Sequence, residues 1–251
     1  MADLSTRSTD RSMIERHLAK LRARDEVSLD EEAAIRAAIA EYRDYPADYR
    51  FIRARAELDH STLIIEGWAC RYKDVRSGQR QITELHVAGD FADLHSFTLK
   101  HLDHDVMTLT PTRVAIVPHD ALRTITERFP HLTRLYWFNT NLDAAIHREW
   151  ELSLGRRTAL ARLANLICEL GVRLGIVGLT DEDGFDLPLT QTDLADCLGL
   201  TNIHVNRMLK ELREQGMVEV QAGRVTIFDT AKLRHVAEFD PTYLYLDRRS
   251  R

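Results

Sequence analysis

The feature that most constrains this 251-residue chain is a pair of short apolar helices, separated by one glycine, within residues 189–228. Gly199 is predicted to end the first helix, because glycine readily adopts the left-handed backbone conformation of a tight turn. The second helix is predicted from Asn202 to Gln215, and two short strands follow it. This order of helix, turn, helix and β-hairpin predicts a winged helix-turn-helix.

The outer face of the second helix carries side chains that suit base edges in DNA. Its predicted buried stripe is Val205, Met208, Leu209 and Leu212. Arg207 is predicted to contact guanine O6 and N7, and Ile203 a thymine methyl group. Threonines at the helix starts suit phosphate. An ordinary helical hairpin is the alternative, but it does not explain the β-hairpin that follows. The residues assigned to DNA binding are Thr190, Thr192, Thr201, Asn202, Ile203, His204, Asn206, Arg207 and Lys210.

The region from Tyr49 to about Val117 has a different texture, with short alternating segments separated by turns that contain glycine. Even spacing of short strands predicts an all-β barrel or sandwich. Two helices are predicted before it, near Arg11–Arg24 and Leu29–Glu41. A capping box of Ser28 and Glu31 opens the second one.

Helical spacing returns after Pro118, and from about Pro130 to Leu154 apolar residues recur every three or four positions. An apolar stripe on this helix is predicted to pack against a second copy of the chain. Gly155 is predicted to interrupt the helix and to act as a hinge, and the acidic segment Gly175–Pro188 is predicted to be a flexible connection. The residues assigned to the dimer interface are Leu132, Leu135, Phe138, Leu142 and Ile146.

Composition excludes several classes of protein. No run of about 18 apolar residues is present, so no membrane span is predicted. The N-terminus lacks the apolar stretch of a signal peptide. Three cysteines are too few for a disulfide framework, which favours a reduced, cytoplasmic protein. The net charge of −5 neither supports nor excludes DNA binding, since DNA contacts only one face of a protein.

With these motifs, and with Gly89-Asp90 in the β-region, the chain resembles the Crp/Fnr family of bacterial transcription regulators from about Arg11 to Ala237. The resemblance implies an α+β fold with a cyclic-nucleotide-binding-like jelly-roll, a dimerisation helix and a C-terminal winged helix-turn-helix. It also implies a homodimer that reads an inverted repeat in double-stranded DNA, with RNA polymerase as a further candidate partner. The family's guanine-contacting arginine falls on Arg207. Its base-reading glutamate falls on Ile203, and His204 stands where threonine is common.

The predicted organisation follows from the resemblance and the spacing together. The assigned segments are a disordered lead-in at 1–10, an effector-sensing β-barrel with flanking helices at 11–129, a dimerisation helix at 130–154, the winged helix-turn-helix at 155–237 and a tail at 238–251.

No cofactor is predicted, and neither of the family's two known sensing chemistries is expected here. Cyclic-nucleotide-binding members use an arginine for the phosphate, whereas this chain has none between Arg80 and Arg113. Iron–sulfur members need a cysteine cluster near the N-terminus, and no cysteine precedes Cys70.

Two alternatives concern metals and redox chemistry. The histidines of a dense His/Asp segment either form a metal or haem site or decorate a polar loop. These candidates are His95, His101 and His104. Cys197 is either a small core residue or, if exposed, a redox-sensitive group beside DNA.

Rival functions from other classes are a metal-dependent jelly-roll enzyme and a protein-interaction module. The histidine spacing lacks the strand-borne His pairs of such enzymes, so no catalysis is expected.

Overall fold

The computed structural model describes residues 13–251, so the predicted disorder at 1–10 lies outside the described residues. The chain divides into two compact units. Unit 1 contains, of the described residues, 13–71, 85–141 and 246–251. Unit 2 contains residues 72–84 and 142–245 and is therefore built from two separate stretches of sequence.

The first half of the chain alternates helices with short strands. Its elements are α1 (Glu15–Arg22), α2 (Leu29–Ala37), β1 (Glu41–Tyr45), β2 (Arg50–Ile52), β3 (His60–Glu66), β4 (Ala69–Asp74), β5 (Arg80–His86), α3 (Ser96–Leu99), β6 (Asp105–Thr108), β7 (Thr112–Pro118), α4 (His119–Arg128) and α5 (Pro130–Arg156). The predicted capping box of Ser28 and Glu31 opens α2. The predicted helix does not continue to Glu41, because that residue begins a strand that pairs with β7.

Two sheets form the barrel, with strand orders β1-β7-β3 and β2-β6-β4-β5. The β1-β7, β3-β7 and β2-β6 pairs are antiparallel. In β3, Ile64 joins an apolar cluster with Ile52 of β2 and Val106 of β6, so this cluster lies between the sheets. Leu63 and Ile65 point to the opposite face, because successive strand residues alternate in direction. Both faces of β3 are therefore buried.

Helices cover the outer face of the β1-β7-β3 sheet. Leu18 of α1, Ile35 of α2 and Leu122 of α4 pack there with the apolar start of α5. Leu132 and Leu135 belong to this core and have no exposed surface.

Burial within the single chain extends to the rest of the predicted dimer seam. Leu142 and Ile146 are also buried within the single chain, at 8% and 3% exposure. Phe138 is half-buried and lies under the guanidinium of Arg251, 4.0 Å from its ring centre. The predicted stripe is therefore largely covered by the same chain.

Helix α5 runs through Gly155 and ends at Arg156, so the predicted interruption at the glycine is wrong. One glycine costs a helix about 1 kcal/mol relative to alanine, which packing can offset. The break follows at Thr158, whose hydroxyl caps the next helix by accepting from the Ala161 amide.

The remaining elements of unit 2 follow this break. They are α6 (Ala159–Ile176), β8 (Gly184–Asp186), α7 (Gln191–Leu198), α8 (Asn202–Glu214), β9 (Val218–Gln221), β10 (Arg224–Ile227), α9 (Thr230–Val236) and a 3-10 helix (Pro241–Leu244). No helix of the described residues is long and apolar enough to span a membrane.

The segment predicted to be a flexible connection contains an ordered strand. β8 pairs with β10 and extends the hairpin to a three-stranded sheet, β8-β10-β9. Phe185 is 1% exposed. A Cβ at Gly184 would lie 1.9 Å from the Val225 carbonyl oxygen, so only glycine permits this approach. The prediction of a flexible connection is therefore wrong. The acidic composition of the segment favoured it, whereas Gly184 and Phe185 hold the segment as a strand.

A buried carboxylate joins three parts of unit 2. Glu169 of α6 accepts hydrogen bonds from the indole of Trp150 and the hydroxyl of Tyr243, each at 3.0 Å. Arg173 donates to its other oxygen at 3.0 Å. Burial raises the pKa of Glu169, and Arg173 favours its charged form. The predicted tail is therefore ordered as far as the 3-10 helix and is held to α6 and α5.

A second buried carboxylate anchors the loop before α3 in unit 1. Asp93 has no exposed surface and accepts hydrogen bonds from the Thr62 amide and, at 3.1 Å, from the Ser96 hydroxyl. Ser96 also contacts His119 Nε2 at 3.2 Å. Burial raises the pKa of Asp93 from 3.8 to about 6. The folded chain therefore binds this proton more tightly than the unfolded chain.

We expect the stability of unit 1 to depend on pH through Asp93. Proton binding to Asp93 stabilises the folded chain fully below pH 3.8. This stabilisation falls to about 1 kcal/mol at pH 5 and is absent above pH 7. Asp93→Asn should remove this loss of stability between pH 5 and 7.5, as measured by urea unfolding. Asp120→Asn, at an exposed carboxylate, is the control and should keep it. An unchanged pH dependence in Asp93→Asn would contradict the assignment.

Candidate nucleic-acid interface

The turn between α7 and α8 is fixed by caps at both helices. Thr190 and Asp193 form a capping box at the start of α7. Gly199 ends α7 with φ +61°, the left-handed conformation predicted for it. Thr201 then caps α8 by accepting from the His204 amide at 3.3 Å. These local contacts set where α8 begins.

Helix α8 has one buried and one exposed face. Val205, Met208 and Leu212 are buried, whereas Leu209 is only partly buried. Ile203 is 80% exposed, although its side chain is apolar. The predicted outer-face residues Asn202, Ile203, His204, Asn206, Arg207 and Lys210 are all exposed, as are Thr190, Thr192 and Thr201.

Two predicted base-reading amides also connect the helices of the motif. Asn202 donates to the Thr192 hydroxyl at 3.1 Å, and Asn206 donates to the Gln191 side-chain oxygen at 2.6 Å. Each asparagine keeps its carbonyl oxygen and further donor capacity for another partner. The amides therefore orient α8 on α7, in addition to facing outward.

The cations of α8 differ in how they are engaged. Lys210 lies 3.5 Å from Glu214, and Arg213 lies 3.7 Å from Glu219, both in exposed pairs that hold side chains weakly. Within residues 13–251, Arg207 makes no hydrogen bond or ion pair. Its guanidinium is exposed and has all five donors available.

The wing presents a narrow tip beside this helix. Ala222 and Gly223 form the turn between β9 and β10, with φ of +51° and +77°. Arg224 contacts the carboxylates of Asp181 and Asp186. This arginine therefore braces the sheet, and the tip of the wing is exposed.

The alternative sites do not assemble in the described part of the chain. His95 and His104 have ring centres 5.5 Å apart, while His101 is exposed. No group of three or more His, Cys, Asp or Glu side chains among the described residues is placed to hold a metal ion. Cys197 is 2% exposed, which leaves it without the exposure that the redox hypothesis requires.

Several residues that shape this interface were not assigned from the sequence. Gln191 holds Asn206, while Gln81 and Arg162 contact the end of α7. Gln191 directly follows the capping residue Thr190, and this position in the motif is a usable local signal. Gln81 gives no local signal, because it lies 115 residues before its partner Asp196 in the chain.

The two halves of the chain match known domains. The Crp-like helix-turn-helix domain matches residues 161–236, and the cyclic nucleotide-binding domain matches residues 42–129. FixK2 from Bradyrhizobium japonicum, a solved structure, shares the fold with a TM-score of 0.72 and 24% identity, over 79% of this chain and 97% of that chain. The predicted fold class is confirmed.

Sequence relatives are transcription regulators. The transcriptional activator protein FnrL of Cereibacter sphaeroides is 30% identical over 216 residues, which cover 84% of this chain and 86% of that protein. The fumarate and nitrate reduction regulatory protein of Escherichia coli K12 is 26% identical over 185 residues, or 74% of each chain. The chain therefore belongs to the Crp/Fnr family of transcription regulators.

Proposed function

We propose that this regulator binds an inverted repeat in double-stranded DNA as a homodimer, with α8 of each copy in the major groove. The observation that carries the proposal is the exposed, unengaged guanidinium of Arg207 on the outer face of a capped helix. Arginine is the most frequent reader of guanine, through O6 and N7. One such helix covers only a few base pairs, so two copies are needed for a specific site. The sequence relatives are transcription regulators, so we expect regulation without catalysis.

The proposed dimer uses the exposed face of α5. Exposed residues recur there at alternating steps of three and four, the spacing of a two-helix seam. Trp137 is 67% exposed, and a second copy of α5 packed on this face would bury its indole. Ala144 is small enough for helices to approach closely. The residues on this face are Arg134, Trp137, Asn141, Ala144, Arg148 and Glu151.

We propose further that cyclic nucleotide is not the effector. The Asp93 carboxylate in the loop after Gly89-Asp90 is committed to Thr62 and Ser96. No arginine lies between Arg80 and Arg113 to receive a cyclic phosphate. An iron–sulfur cluster is not proposed either, because the three cysteines are buried and far apart in the sequence.

Arg207→Ala should weaken binding to an operator selected from random duplexes by about 10- to 100-fold, because one bidentate base contact is worth about 1–3 kcal/mol. Affinity for random duplex DNA should change little. Arg213→Ala removes the same charge from the same helix and serves as the control. Equal losses on operator and random DNA, or equal effects of the two variants, would argue against base reading by Arg207.

Ile203→Glu should change the preferred sequence and not merely the affinity. A carboxylate accepts a hydrogen bond from cytosine N4, whereas an aliphatic group suits a thymine methyl. Selection from a random duplex pool with each protein should replace thymine by cytosine at one position of each half-site. The same consensus for both proteins would place Ile203 away from the bases.

Trp137→Glu should convert the dimer to a monomer, because it places a carboxylate in the proposed seam. Sedimentation at micromolar concentration measures the mass, and operator affinity should fall with it. Leu99→Glu changes another exposed apolar residue, 58% exposed, and should leave the mass unchanged. A dimer that persists in Trp137→Glu would show that the interface lies elsewhere.

A further inference from the structure

The backbone carbonyls at the end of α7 have unusual hydrogen-bond partners. The last four carbonyls of a helix lack partners within it. Here the Ala195 oxygen accepts from the Gly199 and Leu200 amides. The three that follow, on Asp196, Cys197 and Leu198, accept from side chains that lie outside the helix-turn-helix. All four carbonyls of this helix end are therefore bonded.

Gln81 supplies two of these three contacts. Its carboxamide nitrogen lies 2.8 Å from the Asp196 oxygen and 3.2 Å from the Cys197 oxygen, and it also contacts the Ile82 oxygen at 2.9 Å. Arg162 of α6 donates to the Leu198 oxygen at 2.9 Å. The partial negative charge at a helix C-terminus favours such donors.

The strand that carries Gln81 is itself held firmly. The guanidinium of Arg80 lies 4.1 Å from the ring centre of Tyr72, a cation–π contact. Its Nε is 3.3 Å from Asp74. The hairpin loop closes through a hydrogen bond from the Val75 amide to the Gln79 oxygen, at 2.9 Å. Gln81 is therefore presented from a braced hairpin, residues 72–84 of unit 2.

The turn before α8 is packed against these same groups. A Cβ built on Gly199 would lie 3.2 Å from Leu154, 3.8 Å from Gln81 and 3.9 Å from Arg162. The hairpin also borders a cleft of about 980 Å³ whose other wall includes Thr201 and His204, at the start of α8. The contacts of Gln81 thus reach the point where the chain turns into the recognition helix.

We propose that Gln81 is a positioning residue for DNA reading, which acts by holding the C-terminal end of α7 and the turn that aims α8. Arg162 acts with it on the adjacent carbonyl. The residue does not touch DNA itself. This inference rests on the proposed function, since it assigns a role in sequence-specific binding.

The test compares variants of the full chain that differ at the end of one side chain. Gln81→Met keeps the length of the side chain and removes its donor, and Gln81→Lys restores a donor. Gln79→Leu is the matched control, because Gln79 is an exposed glutamine of the same hairpin whose side chain accepts a hydrogen bond from Ser77 and makes none to α7 within residues 13–251. Each protein is measured at 25 °C for affinity to the selected operator and to random duplex DNA, for its unfolding midpoint, and for amide exchange at Leu200.

We expect Gln81→Met to bind the operator about tenfold more weakly, from the loss of two hydrogen bonds, while affinity for random DNA stays within about twofold. Leu200 should exchange faster, and Gln81→Lys should recover most of both properties. Gln79→Leu should match wild type. A purely structural role would lower the unfolding midpoint and leave the ratio of operator to random affinity unchanged, which would overturn the proposal.

The outcome is separable from the function itself. If the wild-type protein does not distinguish operator from random DNA, the proposed function fails, while amide exchange at Leu200 still tests the contact. If wild type distinguishes them and Gln81→Met does so equally well, the positioning role alone is overturned. Should Gln81→Met not fold, Gln81→Ala, which only deletes the side chain, takes its place with the same expected results.

Discussion

The left-handed turn at Gly199 is the constraint on which the DNA-reading surface depends. A helix that ends here exposes carbonyls, and only three residues separate its end from the start of the next helix. Gly199 adopts the left-handed conformation that the turn requires, and Gln81 and Arg162 donate hydrogen bonds to the exposed carbonyls. The direction of α8 follows from both features. In this sense the recognition helix is oriented by the end of the helix before it.

Local signals in the sequence predicted this motif well. Thr190, Gly199 and Thr201 each act on residues within four positions, so their roles follow from residue type and spacing. The family resemblance and the fold class are confirmed by the comparisons for the same reason, since the motif and the barrel strands have strong local patterns. The roles of the DNA-contacting residues remain predictions.

Contacts between distant segments were beyond such reasoning. The stripe from Leu132 to Ile146 is apolar whether its partner is a second chain or the chain's own helices, and periodicity does not distinguish them. The segment before α7 looked flexible because its charges outweigh Phe185, yet that residue and Gly184 fix a strand. Gln81 is an unremarkable glutamine until the fold brings it to α7.

The split composition of unit 2 has a consequence for engineering. Residues 72–84 lie far from residues 142–245 in sequence, yet both belong to the same compact body. A chimaera that grafts only the C-terminal half onto the barrel of a relative would inherit a foreign hairpin, and with it an unmatched partner for the end of α7. Transplanting the hairpin together with that half keeps the native set of contacts. Exchange of DNA specificity between relatives thus calls for two cuts in the gene and not one.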